Sequence, residues 1–303
     1  LANDLAYIDE LIRRGGDVEK FARRLSFFFY VHMDFFEEVC KFRAGRRLWA
    51  KLLKERYGVK DPKALMFRFG VVCGGSSLVG SQPDNNVVRV GIENMAAVMG
   101  GAQSIFTAAF DEAYQIPTEH SAELAVRTQQ IVAHESGIAR TVDPLGGSYY
   151  VEWLTDQMED EVMKVIDEIE VYGGVTKAVE DGWLQLKIAH RAAERKRKVD
   201  SGETVIVGQN YFRREDQNEG VSELFKLDPQ ASARVLEKFE RVRDSRDDDA
   251  VSKTLAALEK AASGDTENLM PYLIDCCHAY ATVGEMVTTL KSQWGEFEEP
   301  VRL

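Results

Sequence analysis

The stretch "LMFRFGVVCGGSSLVGSQPDNNVVRV", residues 65–90, contains the signals for a strand, a turn and a helix in direct succession. Its first part, residues 65–72, is an almost unbroken apolar run, which predicts a strand. "CGGSS" then predicts a turn, and a helical pattern begins at the asparagine pair of residues 85–86. Apolar strands that alternate with helices are typical of a parallel sheet that is buried on both faces.

The same order is found on both sides of this stretch. The strand "LSFFFYV" (25–31) precedes a helical pattern that ends at Gly58, and a strand over 103–108 precedes a helix from about Thr118 to Gly137. Right-handed crossovers place the loops that follow the strands at one end of the sheet. A closed eight-stranded barrel of this kind needs about 250 residues. Three units therefore predict either a small open sheet or a part of a barrel.

Beyond residue 152 the pattern becomes helical. We expect amphipathic helices between 153 and 200 that are broken at Gly173 and Gly174, and one short strand, "TVIVG" (204–208). Further helical patterns cover 229–262 and 267–291. The basic segment "KIAHRAAERKRK" is interpreted as a solvated helix face, with a groove for an acidic partner chain as the alternative.

Composition excludes several classes of function. The 303 residues carry a formal net charge of −12, which disfavours nucleic-acid binding because that binding depends on clustered Lys and Arg. An uncharged apolar run of about 18 residues, as a membrane span requires, is absent from the sequence. The four cysteines form neither a disulfide framework nor a CxxC pair, so we expect no metal site and a cytoplasmic location.

The glycine turn does not match the known phosphate-binding loops. "CGGSSLVG" lacks the Lys of a Walker loop and the GxGxxG spacing of a dinucleotide site. Two interpretations remain. The glycines allow the backbone to approach a large flat ligand closely, or they form a tight turn that needs positive φ.

Several ordered motifs carry a resemblance to a known family. The chain resembles the large, substrate-binding part of methylmalonyl-CoA mutase and its acyl-CoA mutase relatives. The similar stretches are "RLSFFFYVHMDFFEEV", "FRAGRRLWAKL", "NNVVRVGIENMAAVMGGAQS", "FDEAYQIPTEHSA", "ESGIARTVDPLGGSYYVE", "DSGETVIVGQN", "SRDDDAVSKTLAALEKAASGDTENLM" and "TVGEMVTTLK".

The resemblance implies an α/β fold that comprises the last three βα units of a (β/α)8 TIM barrel and a helical region. Residues 1–150 would form the carboxyl-terminal part of the acyl-CoA-binding barrel. Residues 151–303 would form a mostly helical linker and a carboxyl-terminal region that contacts a partner subunit. The first five βα units, and with them the catalytic residues, would precede Leu1.

The resemblance also implies a cofactor and partners. The expected activity is that of an isomerase, an intramolecular transferase that uses adenosylcobalamin for a radical carbon-skeleton rearrangement of an acyl-CoA. The family's DxHxxG motif, whose His ligates cobalt, does not occur in this sequence. We therefore expect the cobalt ligand from another chain or domain, in a cobalamin-binding small subunit, and an oligomeric complex that includes the amino-terminal half of the barrel.

Four residues match family positions that bind the acyl-CoA. Arg24 and Ser26 in "RLSFF" match residues that contact the CoA moiety, and a guanidinium suits phosphate because its donors bind bidentately. Lys63 in "DPK" matches a lysine near the CoA phosphates. Gln103 in "AQS" matches a glutamine that hydrogen-bonds the thioester substrate.

Three residues match the cofactor side. Gly75 matches a glycine where the backbone meets the corrin ring, which favours the first interpretation of the turn. Glu112 in "FDEA" resembles the glutamate that holds the ribose hydroxyls of the adenosyl group, and Ala113 would lie beside the corrin. As an alternative, Glu112 is a helix amino-terminal acid that satisfies free amides.

Four positions depart from the methylmalonyl-CoA mutase pattern. Gly70 stands in place of a histidine and Val72 in place of a glutamine, while Ala108 replaces an asparagine and Asp84 a tyrosine. These changes remove hydrogen-bonding groups and favour a relative that acts on another acyl-CoA with a more apolar acyl group. They also leave two alternatives open: a non-catalytic scaffold half of a mutase complex, or a stand-alone CoA-binding module.

Overall fold

The computed structural model describes residues 1–214 and 225–300. The chain divides into two compact units, residues 1–225 and Lys226–Pro300. The strands are β1 (Phe27–Val31), β2 (Phe69–Cys73) and β3 (Ser104–Phe106). The helices of the first unit are α1 (Ala2–Arg13), α2 (Val18–Ala22), α3 (Phe35–Tyr57), α4 (Asn85–Met99), α5 (Glu119–His134), α6 (Tyr149–Tyr172), α7 (Val175–Glu180) and α8 (Trp183–Asp200).

The three predicted strands form one parallel sheet in the order β1-β2-β3. The helices between them also match the prediction. Asp34 caps α3, which ends at Gly58 in the left-handed region at φ 67°. The Thr118 hydroxyl accepts a hydrogen bond from the Ser121 amide at 3.2 Å and so begins α5, as the sequence indicates. The α/β class is thereby confirmed, while the number of barrel units stays a prediction.

One face of the sheet is buried against the helices. Phe27, Val31, Phe69, Val71 and Cys73 belong to the main hydrophobic core, which they share with side chains of α3 and α4. Aromatic packing within this core is dense, since the ring centroids of Phe27 and Trp49 lie 4.9 Å apart in an edge-to-face arrangement.

The other face is open, and here the prediction of a sheet buried on both sides is wrong. Phe28 is 73% exposed, Tyr30 62% and Phe106 59%. No element among the described residues packs over these side chains. Packing against the described helices therefore does not explain why these positions are apolar. The face that contains Phe28, Tyr30, Gly70, Val72, Ser104 and Phe106 is called the open face below.

The predicted strand "TVIVG" is also wrong. Residues 204–208 form a turn with a single bridge between Val207 and Tyr211. The Asn210 side chain accepts from the Ile206 amide at 2.7 Å and donates to the Thr204 carbonyl at 2.7 Å. These local side-chain bonds close the segment on itself and replace the ladder that β-branched residues favour elsewhere.

The predicted break at Gly173 and Gly174 is confirmed, because both have positive φ between α6 and α7. Helix α8 contains no buried residue, in accord with the solvated face expected for its basic segment. Helix α6 packs against α3, and Arg43 on α3 forms ion pairs with Asp143 and Glu152. The boundary near residue 150 stays a prediction.

The second unit contains four helices where the sequence predicted two long helical segments. They are α9 (Pro229–Ser245), α10 (Asp248–Ala262), α11 (Met270–His278) and α12 (Val283–Trp294). The additional breaks have local causes. Asp247 accepts hydrogen bonds from two amides at the start of α10, and Thr282 and Glu285 form a capping box at the start of α12.

Candidate functional site

The loops that follow the three strands meet at the carboxyl end of the sheet, as predicted. The Gly74 amide donates to the Val31 carbonyl at 2.7 Å, and Gly75–Ser77 form one 3₁₀ turn. The segment Gly74–Ser77 is called the glycine turn below. A Cβ built on Gly74 would lie 2.2 Å from His32 Nδ1 and 2.9 Å from the Val31 carbonyl oxygen. Only glycine fits there, because one of these neighbours is backbone.

Neither glycine of the turn has positive φ, so the interpretation of a tight turn that needs positive φ is wrong. The space beside Gly75 is instead taken by Glu112. A Cβ on Gly75 would lie 2.5 Å from Glu112 Oε1. Since Glu112 Oε1 is the end of a flexible side chain, it can turn away from a Cβ at position 75. Glycine at this position therefore allows another group to come close to the backbone, but the packing does not require glycine here.

The structure thus brings together the three predicted cofactor residues: Gly75, Glu112 and the adjacent Ala113. Glu112 lies in a turn seven residues before α5, so it is not the amino-terminal acid of a helix. Its side chain is exposed and forms no ion pair within the described parts of the chain. Desolvation, and to a lesser degree the neighbouring Asp111, raises the pKa of Glu112.

Asn86, at the start of α4, ties two of these loops together. Its side chain accepts from the Val79 amide at 3.0 Å and donates to the Val79 carbonyl at 3.0 Å and the Phe110 carbonyl at 2.8 Å. The Arg89 guanidinium donates to the same side chain at 2.7 Å and to the Val207 carbonyl at 2.7 Å. The fully buried amide therefore fixes the loop after β2 against the loop after β3.

The four predicted acyl-CoA residues precede their strands and lie at the amino end of the sheet. Arg24 and Ser26 come just before β1, and both are exposed. Lys63 is exposed in the loop before β2. An ion pair between Arg23 and Asp61 ties these two loops together, and the Arg23 guanidinium lowers the pKa of Asp61.

Gln103 bridges the starts of β2 and β3. Its Oε1 accepts from the Phe69 amide at 2.6 Å, and its Nε2 donates to the Gly101 carbonyl at 2.8 Å. A carboxamide nitrogen has two hydrogens, so one donor remains for a ligand. The role at the thioester stays a prediction.

The open face joins the two ends of the sheet. In the register, Phe28 pairs with Gly70 and Tyr30 with Val72. A Cβ on Gly70 would lie 2.8 Å from the Ser104 hydroxyl oxygen and 3.0 Å from Phe28 Cε2. At the position where the resemblance has a histidine, Gly70 is therefore buried, and the Phe28 and Ser104 side chains occupy the space beside it.

The other two departures lie elsewhere. Ala108 is fully buried and packs into the main core. Asp84 is exposed at the start of α4, where its side chain makes no capping hydrogen bond. A groove of about 570 Å³ between α3 and α6, lined by apolar side chains such as Phe42 and Val162, touches none of the predicted site residues.

A polar group that the sequence did not indicate lies beneath the glycine turn and consists of the half-buried His32 and the buried Ser77 and Glu93. The position of His32 directly after a strand was a usable signal. Glu93 gave no signal, because an acid within a helix is ordinarily solvated. Cys73 is buried close by, and burial raises the pKa of its thiol to about 12.

The residues that the structure describes contain neither a metal-binding cluster nor a membrane-spanning helix. Within residues 1–214 and 225–300, no three His, Cys, Asp or Glu side chains are grouped so that they could hold a metal ion. In the same ranges, none of the helices has the length and apolarity that crossing a membrane requires.

Comparison with known proteins gives the class of protein. The family model described as methylmalonyl-CoA mutase matches residues 1–296, and the chain belongs to this family. It is 42% identical to the 2-hydroxyisobutanoyl-CoA mutase large subunit of Aquincola tertiaricarbonis, over 99% of this chain and 53% of that protein. It is 41% identical to the mitochondrial methylmalonyl-CoA mutase of Homo sapiens, over 100% of this chain and 40% of that protein.

A further relative from the same family has a similar identity to this chain. The methylmalonyl-CoA mutase of Rhizobium meliloti is 39% identical over 98% of this chain and 41% of that protein. The chain thus spans about half the length of the relatives it matches, or somewhat less.

Proposed function

We propose that the chain is part of an adenosylcobalamin-dependent acyl-CoA mutase, in which residues 1–150 contribute the last three βα units of the acyl-CoA-binding barrel. The observation that carries this proposal is the arrangement of the predicted residues. The acyl-CoA residues lie at the amino end of the sheet and the cofactor residues at the carboxyl end. The open face between them is apolar and one strand long, about 17 Å for five residues. An elongated acyl-CoA fits such a surface.

The residues at the carboxyl end fit the cofactor. Glu112 offers an exposed carboxylate that forms no ion pair with any residue the structure describes, and it can accept hydrogen bonds from ribose hydroxyls. Gly75 presents backbone that a ligand can approach once the end of the Glu112 side chain turns away. When bound, adenosylcobalamin supplies the radical chemistry of the carbon-skeleton rearrangement, while the protein binds, orients and excludes water.

The acyl-CoA would be held from the other end. Arg24 and Lys63 present exposed cations to the CoA phosphates, and Ser26 adds a hydroxyl beside them. Gln103 would direct its remaining amide hydrogen to the substrate. The apolar open face, with Gly70 and Val72, favours an acyl group with fewer polar substituents than methylmalonyl.

The proposal includes partners and location. The remaining strands of the barrel would cover the open face, and a cobalamin-binding small subunit would supply the cobalt ligand at the carboxyl end. Residues 151–303 would contact that subunit within an oligomer. A cytoplasmic location accords with four free cysteines, of which three are buried.

A second candidate function is a non-catalytic scaffold half of a mutase complex. It is favoured by the loss of polar side chains at Gly70 and Val72, which leaves the open face with fewer groups that can hydrogen-bond a substrate. Turnover by the reconstituted complex distinguishes the two candidates.

The test is a Glu112→Gln variant in the complete complex. The amide cannot accept as strongly as a carboxylate, and lost charged hydrogen bonds lower the affinity for adenosylcobalamin by roughly 10–100-fold. Glu119→Gln, an exposed acid on α5, is the matched control and should bind normally. Unchanged cofactor affinity in the Glu112 variant would contradict the proposed site, and absence of turnover by the unmodified complex would favour the scaffold.

A further inference from the structure

A carboxyl group without a partner lies beneath the glycine turn. Glu93, on α4, is fully buried. Neither of its side-chain oxygens has a hydrogen-bond partner among the residues that the structure describes. An ionised carboxylate in such a place is costly, since burial removes water without supplying donors. The neutral acid, which can donate its own hydrogen, fits this environment better.

The surroundings of Glu93 also favour the neutral form. Burial raises the pKa of Glu93 from its usual 4.5 to about 7, and the negative charges of Glu38 and Glu112 act in the same direction. The Ser77 hydroxyl and the Gly74 amide face the carboxyl group and lower its pKa, but neither forms a hydrogen bond of normal geometry with it.

Two further ionisable groups interact with this carboxyl group. Arg89, one turn earlier on α4, is the positive charge that interacts with Glu93, but its guanidinium is engaged by Asn86 and the Val207 carbonyl. Cys73 stays a neutral thiol, because burial and the nearby Glu93 raise its pKa to about 12. Neither group supplies Glu93 with a counter-charge in direct contact.

Ser77 connects this acid to a histidine. The Ser77 hydroxyl oxygen lies 3.2 Å from His32 Nδ1. Burial, followed by the positive charges of Lys41 on α3 and Arg195 on α8, lowers the pKa of His32. The imidazole is therefore neutral at pH 7, and a neutral imidazole can accept a hydrogen bond at one ring nitrogen.

We infer that Glu93, Ser77 and His32 form a relay that positions the glycine turn: the neutral Glu93 carboxyl group lies beneath the turn, and the contact between Ser77 and His32 holds the turn to the end of β1. The relay joins three elements: α4, the turn after β2 and the end of β1. Glu93 is a positioning residue in this account, since it acts through the turn. The relay rests on the proposed function in one respect: the turn that it positions is the turn assigned to the corrin ring.

The relay predicts a pH dependence with a definite sign. The carboxyl group has a raised pKa when the turn is closed and its usual value when the turn opens to water. Closing therefore stabilises the protonated form, and this stabilisation is lost as the pH rises from about 4.5 to about 7. The opening constant of the turn should rise about tenfold per pH unit in that window and level off above it.

Hydrogen–deuterium exchange of the full-length protein in its native complex measures this opening. The peptide to follow covers residues 73–79, with rates corrected for the intrinsic effect of pH between about pH 5 and pH 8. In the unmodified protein the opening constant should rise by roughly 40-fold between about pH 5 and pH 7. In Glu93→Gln, which mimics the neutral acid, it should stay flat over this range.

Two further variants keep the test decisive. Glu55→Gln, an exposed acid on α3, should retain the full pH dependence of the unmodified protein. Ser77→Ala removes the contact with His32 but leaves Glu93 buried, so its turn should open roughly 5-fold faster at every pH and keep the rise with pH. A pH dependence that persists in Glu93→Gln, or a turn that does not respond to pH in the unmodified protein, overturns the relay. The exchange measurement needs neither cobalamin nor turnover, so failure of the proposed function would show separately.

Discussion

The two ends of the small sheet are built in different ways. At the carboxyl end, the fully buried Asn86 side chain fixes two loops, and the fully buried Glu93 lies beneath the glycine turn. At the amino end, the predicted ligand residues Arg24, Ser26 and Lys63 are exposed. Desolvated groups are expensive to disturb, whereas exposed charges are close to their state in water. Substitutions at the carboxyl end should therefore cost more stability than substitutions of the exposed residues at the amino end.

The largest expected effect is at Asn86. Replacing Asn86 by Ala leaves the amide and carbonyl of Val79 and the carbonyl of Phe110 without partners. We expect a loss of about 2–4 kcal/mol in the free energy of unfolding, measured by urea denaturation of the full-length protein. Asn85→Ala is the matched control, since its side chain makes one bond, to Gln82 at 3.1 Å, and should cost about 1 kcal/mol or less. Equal losses in the two variants would contradict the tie between the loops.

The adjacent glycines of the turn should differ from one another. A Cβ at Gly74 meets the Val31 carbonyl, which cannot move alone, so Gly74→Ala should cost about 1–3 kcal/mol in stability. Gly75→Ala meets only the end of the Glu112 side chain and should cost less than about 1 kcal/mol. Thermal unfolding of both variants checks this order, and the reverse order would show that Glu112 is held rigidly.

The smallest effect on stability is expected at the amino end. Lys63→Ala removes an exposed cation and should change the free energy of unfolding by less than about 0.5 kcal/mol. Under the proposed function it should still weaken acyl-CoA binding, by about 3–10-fold, because one phosphate contact is lost. Lys54→Ala, an exposed lysine on α3, should leave both quantities unchanged. Isothermal titration with the acyl-CoA measures the binding, and urea denaturation measures the stability. A large loss of stability in Lys63→Ala would contradict the difference in construction between the amino and carboxyl ends of the sheet.

The three strands and the helix ends could be predicted because they depend on local chemistry. The apolar runs, the Asp34 and Thr118 caps and the terminating Gly58 act over a few residues. The prediction of a strand at "TVIVG" was wrong because the side chain of Asn210, two residues beyond it, hydrogen-bonds the backbone of this segment in place of a neighbouring strand. The open face could not be foreseen either, since an apolar strand does not reveal which of its faces this chain covers.

For the candidate site, too, the sequence indicated some residues and not the ones whose role depends on tertiary packing. Gly75, Glu112 and Ala113 were found from a resemblance, and the structure brings them together at one end of the sheet. Glu93 was missed, because its burial follows from how α4 packs beneath the glycine turn. His32, Ser77 and Glu93 lie far apart in sequence, and only the parallel crossovers bring the three side chains to one place.

The central claim is tested most directly by native mass spectrometry of the complex purified from its source, with adenosylcobalamin and acyl-CoA added in turn. We predict that the protein carrying this chain is found with a cobalamin-binding polypeptide and gains the mass of both ligands. A complex that retains neither adenosylcobalamin nor acyl-CoA would contradict the assignment of the two ends of the sheet.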